Sequence, residues 1–403
     1  MSDDSTMREV RTLMRESPVP STSLDPQTLL DRGKRSRRRW RRASVVTAAL
    51  TVVTLVVTGV GAATWLDHRR DQAAGLSTKP RVVHRTATLS GETGCWATPL
   101  RRVADATAGF HAADPNAEQV VGTGGVERIS WWNRGEPTVF TVAGATPEVT
   151  ATDVNGSGTV VGHDDAASPL NWTYSDGTVR TLPTPAGFDR AEVTHVNGRG
   201  DALGLLERSD GTTALVVWPS GAPDRHRVIA EPGARPLGIR DDGTVVSVRG
   251  RSDSDPGAGT VVLHRSNGKR LSVAVPRQLR AGGSMIGVTL EGDHLYGTSA
   301  GMQVTFSDGQ TPLAAFVNPV RWNLRTGVVE IFDNLVGVPV GSRTGWFVVA
   351  GDVDTRVLVA PDRRAREITL GDTPDAGVHA VGPDGTTLIG STETDLVTWR
   401  CPG

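Results

Sequence analysis

Cysteine is nearly absent from this chain of 403 residues, which holds only two. Tyrosine is as scarce, also two, and three lysines stand beside forty arginines. There is no phosphate-cradling P-loop, no dinucleotide glycine fingerprint, no H-E-x-x-H and no cysteine set with zinc spacing. The acidic loop DSDPG (253–257) lacks the ligand spacing of a calcium loop. These absences remove the common nucleotide, zinc and calcium readings, and no cofactor is expected. Positive charge is also missing from most of the chain. Residues 1–42 carry eleven Arg and Lys against six Asp and Glu, whereas residues 67–403 carry thirty-two against thirty-eight. An acidic bulk lacks the clustered positive field that phosphate contacts need, so no nucleic-acid partner is expected.

Residues 43–66, ASVVTAALTVVTLVVTGVGAATWL, contain no charge at all. As a helix rising about 1.5 Å per residue, such a run exceeds the roughly 30 Å hydrocarbon core of a bilayer. Just before it stands DRGKRSRRRWRR, with eight basic residues between Arg32 and Arg42. The positive-inside bias puts the basic tail (1–42, mostly disordered) in the cytoplasm and the C-terminal domain outside, with the bilayer held through residues 43–66. The basic cluster then acts as a topology signal and attracts anionic lipid. A cleaved signal peptide, cut near Gly61, Ala62 and Ala63, is the alternative. The run is longer than a usual signal core and forty-two residues precede it, so a single-pass anchor is the expectation.

After a polar linker at 67–84 the chain repeats itself with a period near forty. A small residue closes a short apolar run at Gly122, Gly162, Gly204, Ser247, Gly297, Gly351 and Gly390. Each run follows another apolar strand and a turn such as VNGSG (154–158) or VNGRG (196–200), whose Asn and Gly accept the positive φ of tight turns. A third strand follows, often with Trp (Trp132, Trp172, Trp218, Trp322, Trp399), then a second Gly-bearing turn and a fourth strand. Units 4 and 6 have His264 and Leu358 near the Trp place. Four short antiparallel strands cannot bury both faces of their own sheet, but stacking units radially does, with Trp filling the wedges. The expected fold is all-β, a seven-bladed β-propeller over 85–403, preceded by one transmembrane helix. A linear solenoid or paired sandwiches are the alternatives.

The two cysteines, Cys95 and Cys401, bracket the array. The last unit stops at its third strand, DLVTWRC, and the segment before the first full unit offers spare strands. An N-terminal strand that completes the last blade would place Cys95 beside Cys401, and an oxidising compartment would join them. Two unpaired buried thiols are the alternative.

The pattern of apolar strand, N-x-x-G turn, VVG, loop, Trp, Gly and strand resembles the HAF-type repeats of extracellular bacterial propellers, and more loosely WD40-like propellers, over residues 105–401. The head, anchor and propeller layout resembles single-pass envelope proteins of actinobacterial type. This resemblance implies architecture and carries no shared chemistry.

Candidate chemistry is sparse. GTSAG (297–301) fits G-x-S-x-G, but a further strand follows where a nucleophile elbow needs a helix, so Ser299 is not expected to be a nucleophile. His111 and His379 hold the same place in units 1 and 7, which a closed ring makes neighbours, and they are the candidate channel ligands. No third metal ligand is evident, and no catalytic residue is assigned. A docking surface is expected on the loops 163–168, 205–210, 248–260 and 298–319, against a solvated rim as the alternative. The expected function is a membrane-anchored extracytoplasmic module that binds or scaffolds an envelope protein or glycan. A glycan hydrolase or lyase with its active site in the channel, and a transmembrane sensor whose tail engages a cytoplasmic regulator, are the alternatives.

Overall fold

The computed structural model describes residue 77 and residues 79–103, 109–146, 148–250, 259–276, 279, 286–300, 317–350, 356–371, 376–392 and 395–402. The basic tail, the apolar run and nearly all of the expected linker lie outside the described residues. Among the described residues no helix is long and apolar enough to cross a membrane.

Among the described residues the repeats fold into seven sheets, and each repeat lays down its own strands from inner to outer in chain order. Blade 1 runs from Phe110–Ala113 to Glu136–Thr141, blade 2 from Val149–Val154 to Thr178–Leu182, and blade 3 from Arg190–Val196 to Arg227–Ile229. Blade 4 runs from Ala234–Ile239 to Arg270–Ala274, blade 5 from Ile286–Glu291 to Val328–Phe332, and blade 6 from Pro339–Gly341 to Arg364–Thr369. Blade 7 supplies Gly377–Val381, Thr387–Ser391 and Leu396–Arg400. Successive blades touch all round, and blade 7 returns to blade 1. The apolar core is accordingly divided among the seams. Leu203, Leu215, Ile239 and Val245 pack between blades 3 and 4, for example. Leu100, Val120, Trp132, Ile389 and Leu396 pack across the seam where blade 7 meets blade 1.

The closing glycine has a steric cause. A Cβ on Gly204 would sit 2.5 Å from the Glu192 carbonyl oxygen of the inner strand and 2.7 Å from the Trp218 ring of the third strand. Gly162 and Gly390 are confined in the same way, by Thr150 and Trp172 and by Gly377 and Trp399. The tryptophan needs the volume that the missing side chain leaves, and it then fills the wedge against the preceding blade: Trp218 packs with Val161 and Leu182 of blade 2. Blade 4 keeps the bargain with different residues. His264 pairs with Val245 at the Trp place, and Ser247 replaces glycine, its hydroxyl 3.5 Å from the imidazole. Leu358 takes the Trp place in blade 6, paired with Val348.

Two details of the repeat alignment change in the structure. In blade 2 the strand register puts Tyr174, opposite Val160, where Trp stands in blades 1, 3, 5 and 7, while Trp172 lies one pleat earlier on the same face. In blade 6 the register assigns the closing place to Ala350, paired with Arg356. Gly351 lies outside the described residues.

The V-N-G-x-G turns tie blades together as well as reversing the chain. The Asn155 Oδ1 accepts the N–H groups of Ser157 and Thr159, and its Nδ2 donates to the Asn197 carbonyl of blade 3 at 2.7 Å. Asn197 repeats this toward Arg240 of blade 4. One side chain thus satisfies its own turn and one carbonyl of the next blade, which is why blades 2 and 3 carry an amide here. The last residue of the turn, Gly158, has φ +82° and Gly200 φ +86°.

Ring closure is made by the segment before blade 1. Trp96–Pro99 pairs antiparallel with Leu396–Arg400 as the outer strand of blade 7, as the unfinished last repeat predicts. Cys95 and Cys401 form a disulfide, with Cα atoms 4.3 Å apart at a sequence separation of 306. The segment does more than that expectation allowed. Arg81–Arg85 adds a fifth, parallel strand to blade 5, and Thr88–Gly94 adds one to blade 6. Sheet pairing therefore begins at Arg81, inside the stretch expected as linker. A strap crosses the outer edges of two blades before it completes the third.

The strap is also held by charge. Glu330 of blade 5 accepts from Arg85 of the strap, from Arg363 of blade 6 and from the buried Arg321. Arg321 further donates to the carbonyls of Gly345 and Ala360 in blade 6, with Phe332 and Phe347 packed against its guanidinium.

Two substitutions test the steric account. Gly204→Ala should destabilise the fold by roughly 1–3 kcal/mol, read as a lower denaturant midpoint at unchanged slope. Ser247→Ala, at the same repeat place opposite a histidine, should cost no more than about 1 kcal/mol. Equal costs at the two positions would show that the tryptophan does not impose the glycine.

Candidate functional site

In each blade, the turns between strands 1 and 2 and between strands 3 and 4 lie at one end of the propeller. The loops between strands 2 and 3 and between blades lie at the other. Only the inner strands border the central channel. Their residues at equivalent register positions form rings around the axis.

One such ring, next to the turn end, contains Asp114, Asn155, Asn197, Arg240 and Glu291. The ring below it contains Asp153 and, one blade on, His195. Asp114 is fully buried and committed to its turn, accepting the N–H groups of Asn116, Glu118 and Gln119. Asp153 accepts from the Val196 N–H of blade 3 and from Val154 N–H, each at 2.8 Å. Glu291 ends its strand at a tight turn through Gly292 and Asp293, and has no hydrogen-bond partner among the described residues.

Glu291 of blade 5 feels the charges of Asp153 in blade 2 and Asp114 in blade 1. Blade 5 is adjacent to neither of the others, so the interaction runs across the channel. Burial pushes the Glu291 carboxyl up to about 8, and the charges of Asp153 and Asp114 raise it further. Burial likewise pushes Asp153 up to about 7, with Asp114 adding to it and its two backbone N–H groups opposing. Both side chains keep some surface open to the channel. They are nevertheless surrounded by protein deep enough to lose most of their hydration. Glu291 is therefore largely a neutral acid at pH 7.

His195 is shifted the other way, down to about 4, because burial disfavours the imidazolium. The Thr194 hydroxyl lies 2.8 Å from His195 Nδ1 and 3.2 Å from the Leu203 carbonyl. The turn end of the channel thus offers a neutral carboxylic acid, a carboxyl near its midpoint and a neutral imidazole. Among the described residues, no group of three or more His, Cys, Asp or Glu side chains is placed to hold a metal ion.

No family model and no curated protein matches the chain. Among solved structures, a streptogramin B lyase superposes with a TM-score of 0.50 at 13% identity, covering 76% of this chain and 98% of its own. The WD40 repeats of RRP9 give 0.47 at 13%, covering 76% and 97%. YCF48 bound to a D1 peptide gives 0.48 at 11%, covering 79% and 100%. At such identities the likeness describes the propeller fold alone.

The residues singled out from sequence are placed as follows. His111 and His379 both stand at the β-bulge of an inner strand, in blades 1 and 7, nearer the loop end than Glu291. His111 Nδ1 accepts from Ala151 N–H of blade 2 and its Nε2 lies 3.1 Å from the Thr123 hydroxyl. His379 Nε2 lies 2.8 Å from the Ser391 hydroxyl, and its ring stacks on Phe110 of blade 1 at 4.1 Å. Burial lowers the pKa of both. Ser299 lies within a strand, paired with Asn318, where no elbow exists. In the loop 163–168, Asp164 is buried and accepts from Thr146, Ala166 and Leu170, so it braces the loop. Most of the loops 248–260 and 298–319 lies outside the described residues.

Sequence reasoning missed Asp153, Glu291 and His195. One signal existed: ATDVNGSG and VTHVNGRG place a charged or titratable residue directly before the turn, on a strand that otherwise reads as buried. Its meaning depends on the ring, because those side chains meet others only across the axis.

The shifts predict how stability depends on pH. Glu291 and Asp153 hold more protons folded than unfolded between about pH 4 and their folded values, so they make stability fall as pH rises through that window. His195 acts oppositely between about pH 4 and 6.5, where the unfolded chain binds the extra proton. Above about pH 6.5 the carboxyls act alone. Glu291→Gln should therefore gain thermal midpoint relative to the parent as pH is raised from 6.5 to 8. A difference that stays constant over that range would show that Glu291 is not perturbed.

Proposed function

We propose that the chain is a membrane-anchored propeller displayed outside the cytoplasm, where it binds or scaffolds a component of the cell envelope. The single observation that carries this reading is the Cys95–Cys401 disulfide that closes the ring. Structural disulfides persist in oxidising compartments and are rare in reducing ones. In the loop-entropy picture a closure of this length stabilises by an upper figure on the order of 5 kcal/mol. The charge-free run 43–66, with its basic flank, supports an anchor with the tail inside. The resemblance to HAF-type repeats of envelope proteins supports the same address. The bonded state of His111, Asp114 and Asp164 supports a scaffold whose polar residues mostly hold the blades together.

A second reading, an enzyme acting through the channel, is favoured by Glu291 and Asp153. Carboxyls poised to give and take a proton near neutrality suit general acid–base chemistry on a glycan. This reading requires that Glu291→Gln and Asp153→Asn each abolish turnover of such a substrate.

The anchored reading is tested on the full chain expressed in bacteria. Protease added outside intact spheroplasts should digest the C-terminal domain, and both cysteines should resist alkylation until the folded protein is reduced. Digestion only after lysis, or two alkylatable thiols in the folded protein, would overturn it.

A further inference from the structure

A cleft of about 380 Å³ opens at the turn end between blades 2 and 3. It is separate from the channel and lies where the two sheets diverge. Thr173, Ser175, Arg180 and Leu182 of blade 2 line one wall, and Trp218, Pro219 and Ser220 of blade 3 line the other. The walls are set by strand pleating. Thr173 is the cross-strand partner of Arg180, so their side chains share the face turned toward blade 3, as do Ser175 and Leu182. The floor is apolar: Leu182, Ala202 and Trp218 are buried beneath it. Trp218 Nε1 is engaged by the Pro183 carbonyl, so the indole offers carbon to the cleft.

Several of the polar groups above that floor are not used by the fold. Among the described residues, the hydroxyls of Thr159, Thr173, Ser175 and Ser220 make no hydrogen bond, and the Arg180 guanidinium has no carboxylate partner. Other prominent arginines of the propeller, such as Arg321 and Arg270, are committed to Glu330 and Glu231. Arg199, at the cleft edge, is paired with Asp201. Asp176 stands on the rim. An apolar floor, flanking hydroxyls and one free guanidinium match a pyranose ring. Its C–H face would lie on the floor, its hydroxyls would meet the walls, and a carboxylate would take the fork of Arg180.

We propose that this cleft binds one uronate unit of an acidic polysaccharide, with Arg180 holding the carboxylate and Thr173 and Ser175 the ring hydroxyls. This names the partner class for the envelope-binding reading and rests on it. The cleft lining shares no residue with the channel carboxyls Glu291 and Asp153.

The test is calorimetric titration of the full chain in detergent with trigalacturonate, and with galactotriose as the neutral control. The proposal expects saturable binding of the acidic trimer, at least tenfold weaker binding of the neutral one, and affinity for the acidic trimer that falls with added salt. Arg180→Gln should lower affinity at least tenfold, and Thr173→Val should lower it severalfold, both with the parent's thermal midpoint. Because Arg180 is exposed, its variant keeps the fold. No heat with millimolar trigalacturonate, equal binding of both trimers, or an unaltered affinity in Arg180→Gln would overturn it. If the uronate fails to bind while the domain is disulfide-bonded outside the cell, the cleft assignment falls and the envelope reading stands. If the thiols are free and the domain is intracellular, the envelope reading falls whatever the cleft binds.

Discussion

Each blade of this protein has two apolar faces and no means of covering either by itself. Burial comes only from the neighbouring sheet, so every blade depends on two others and the first depends on the last. The glycine that closes most second strands, the aromatic ring beside it and, in blades 2 and 3, the turn amide all serve that dependence. Glycine gives the indole its place, the indole fills the wedge, and the amide donates across the same seam. Where blade 4 departs from the rule it departs in pairs: a smaller ring, His264, accompanies a larger closing residue, Ser247.

A ring built this way is only as secure as its seam. The chain closes it three times over. An N-terminal strand finishes blade 7, a disulfide joins that strand to the chain's last turn, and the strap ahead of it runs in parallel pairing along blades 6 and 5. Glu330 receives arginines from the strap and from two blades at once.

The two polar features at the turn end follow from different parts of the same geometry. Inner strands bring single residues of distant repeats together on the axis, and this removes water from Asp153 and Glu291 and raises their pKa values. Outer strands diverge, and between blades 2 and 3 they leave a cleft whose hydroxyls and guanidinium the fold does not consume. The channel gathers carboxyls whose pKa burial raises, and the cleft presents a cation. A propeller can carry both because the seven wedges are nearly independent of each other in what their rims display.

The repeat and its blade count were legible in the sequence because they are local and periodic, and the pairing of Cys95 with Cys401 was legible because the two bracket the array. A turn needs its Asn and Gly within five residues, and the unfinished last repeat states what it lacks. The shift of Trp172 to one pleat before the repeat's usual place, taken instead by Tyr174, was not legible, since both residues lie on one face of one strand and only pairing with Val160 tells them apart. The strap was hidden for a related reason. RVVHR and TLSGETG carry little periodic signal, and edge strands are selected by the sheet they join. The channel carboxyls and the cleft were hidden more deeply. Asp153 and Glu291 are far apart in the chain and belong to blades that never touch, so their meeting exists only once the ring is closed. Sequence determined what each unit is, because a strand and its turn are decided by neighbours along the chain. Tertiary structure decided which polar groups lose their water and which stay free, because that depends on neighbours across space.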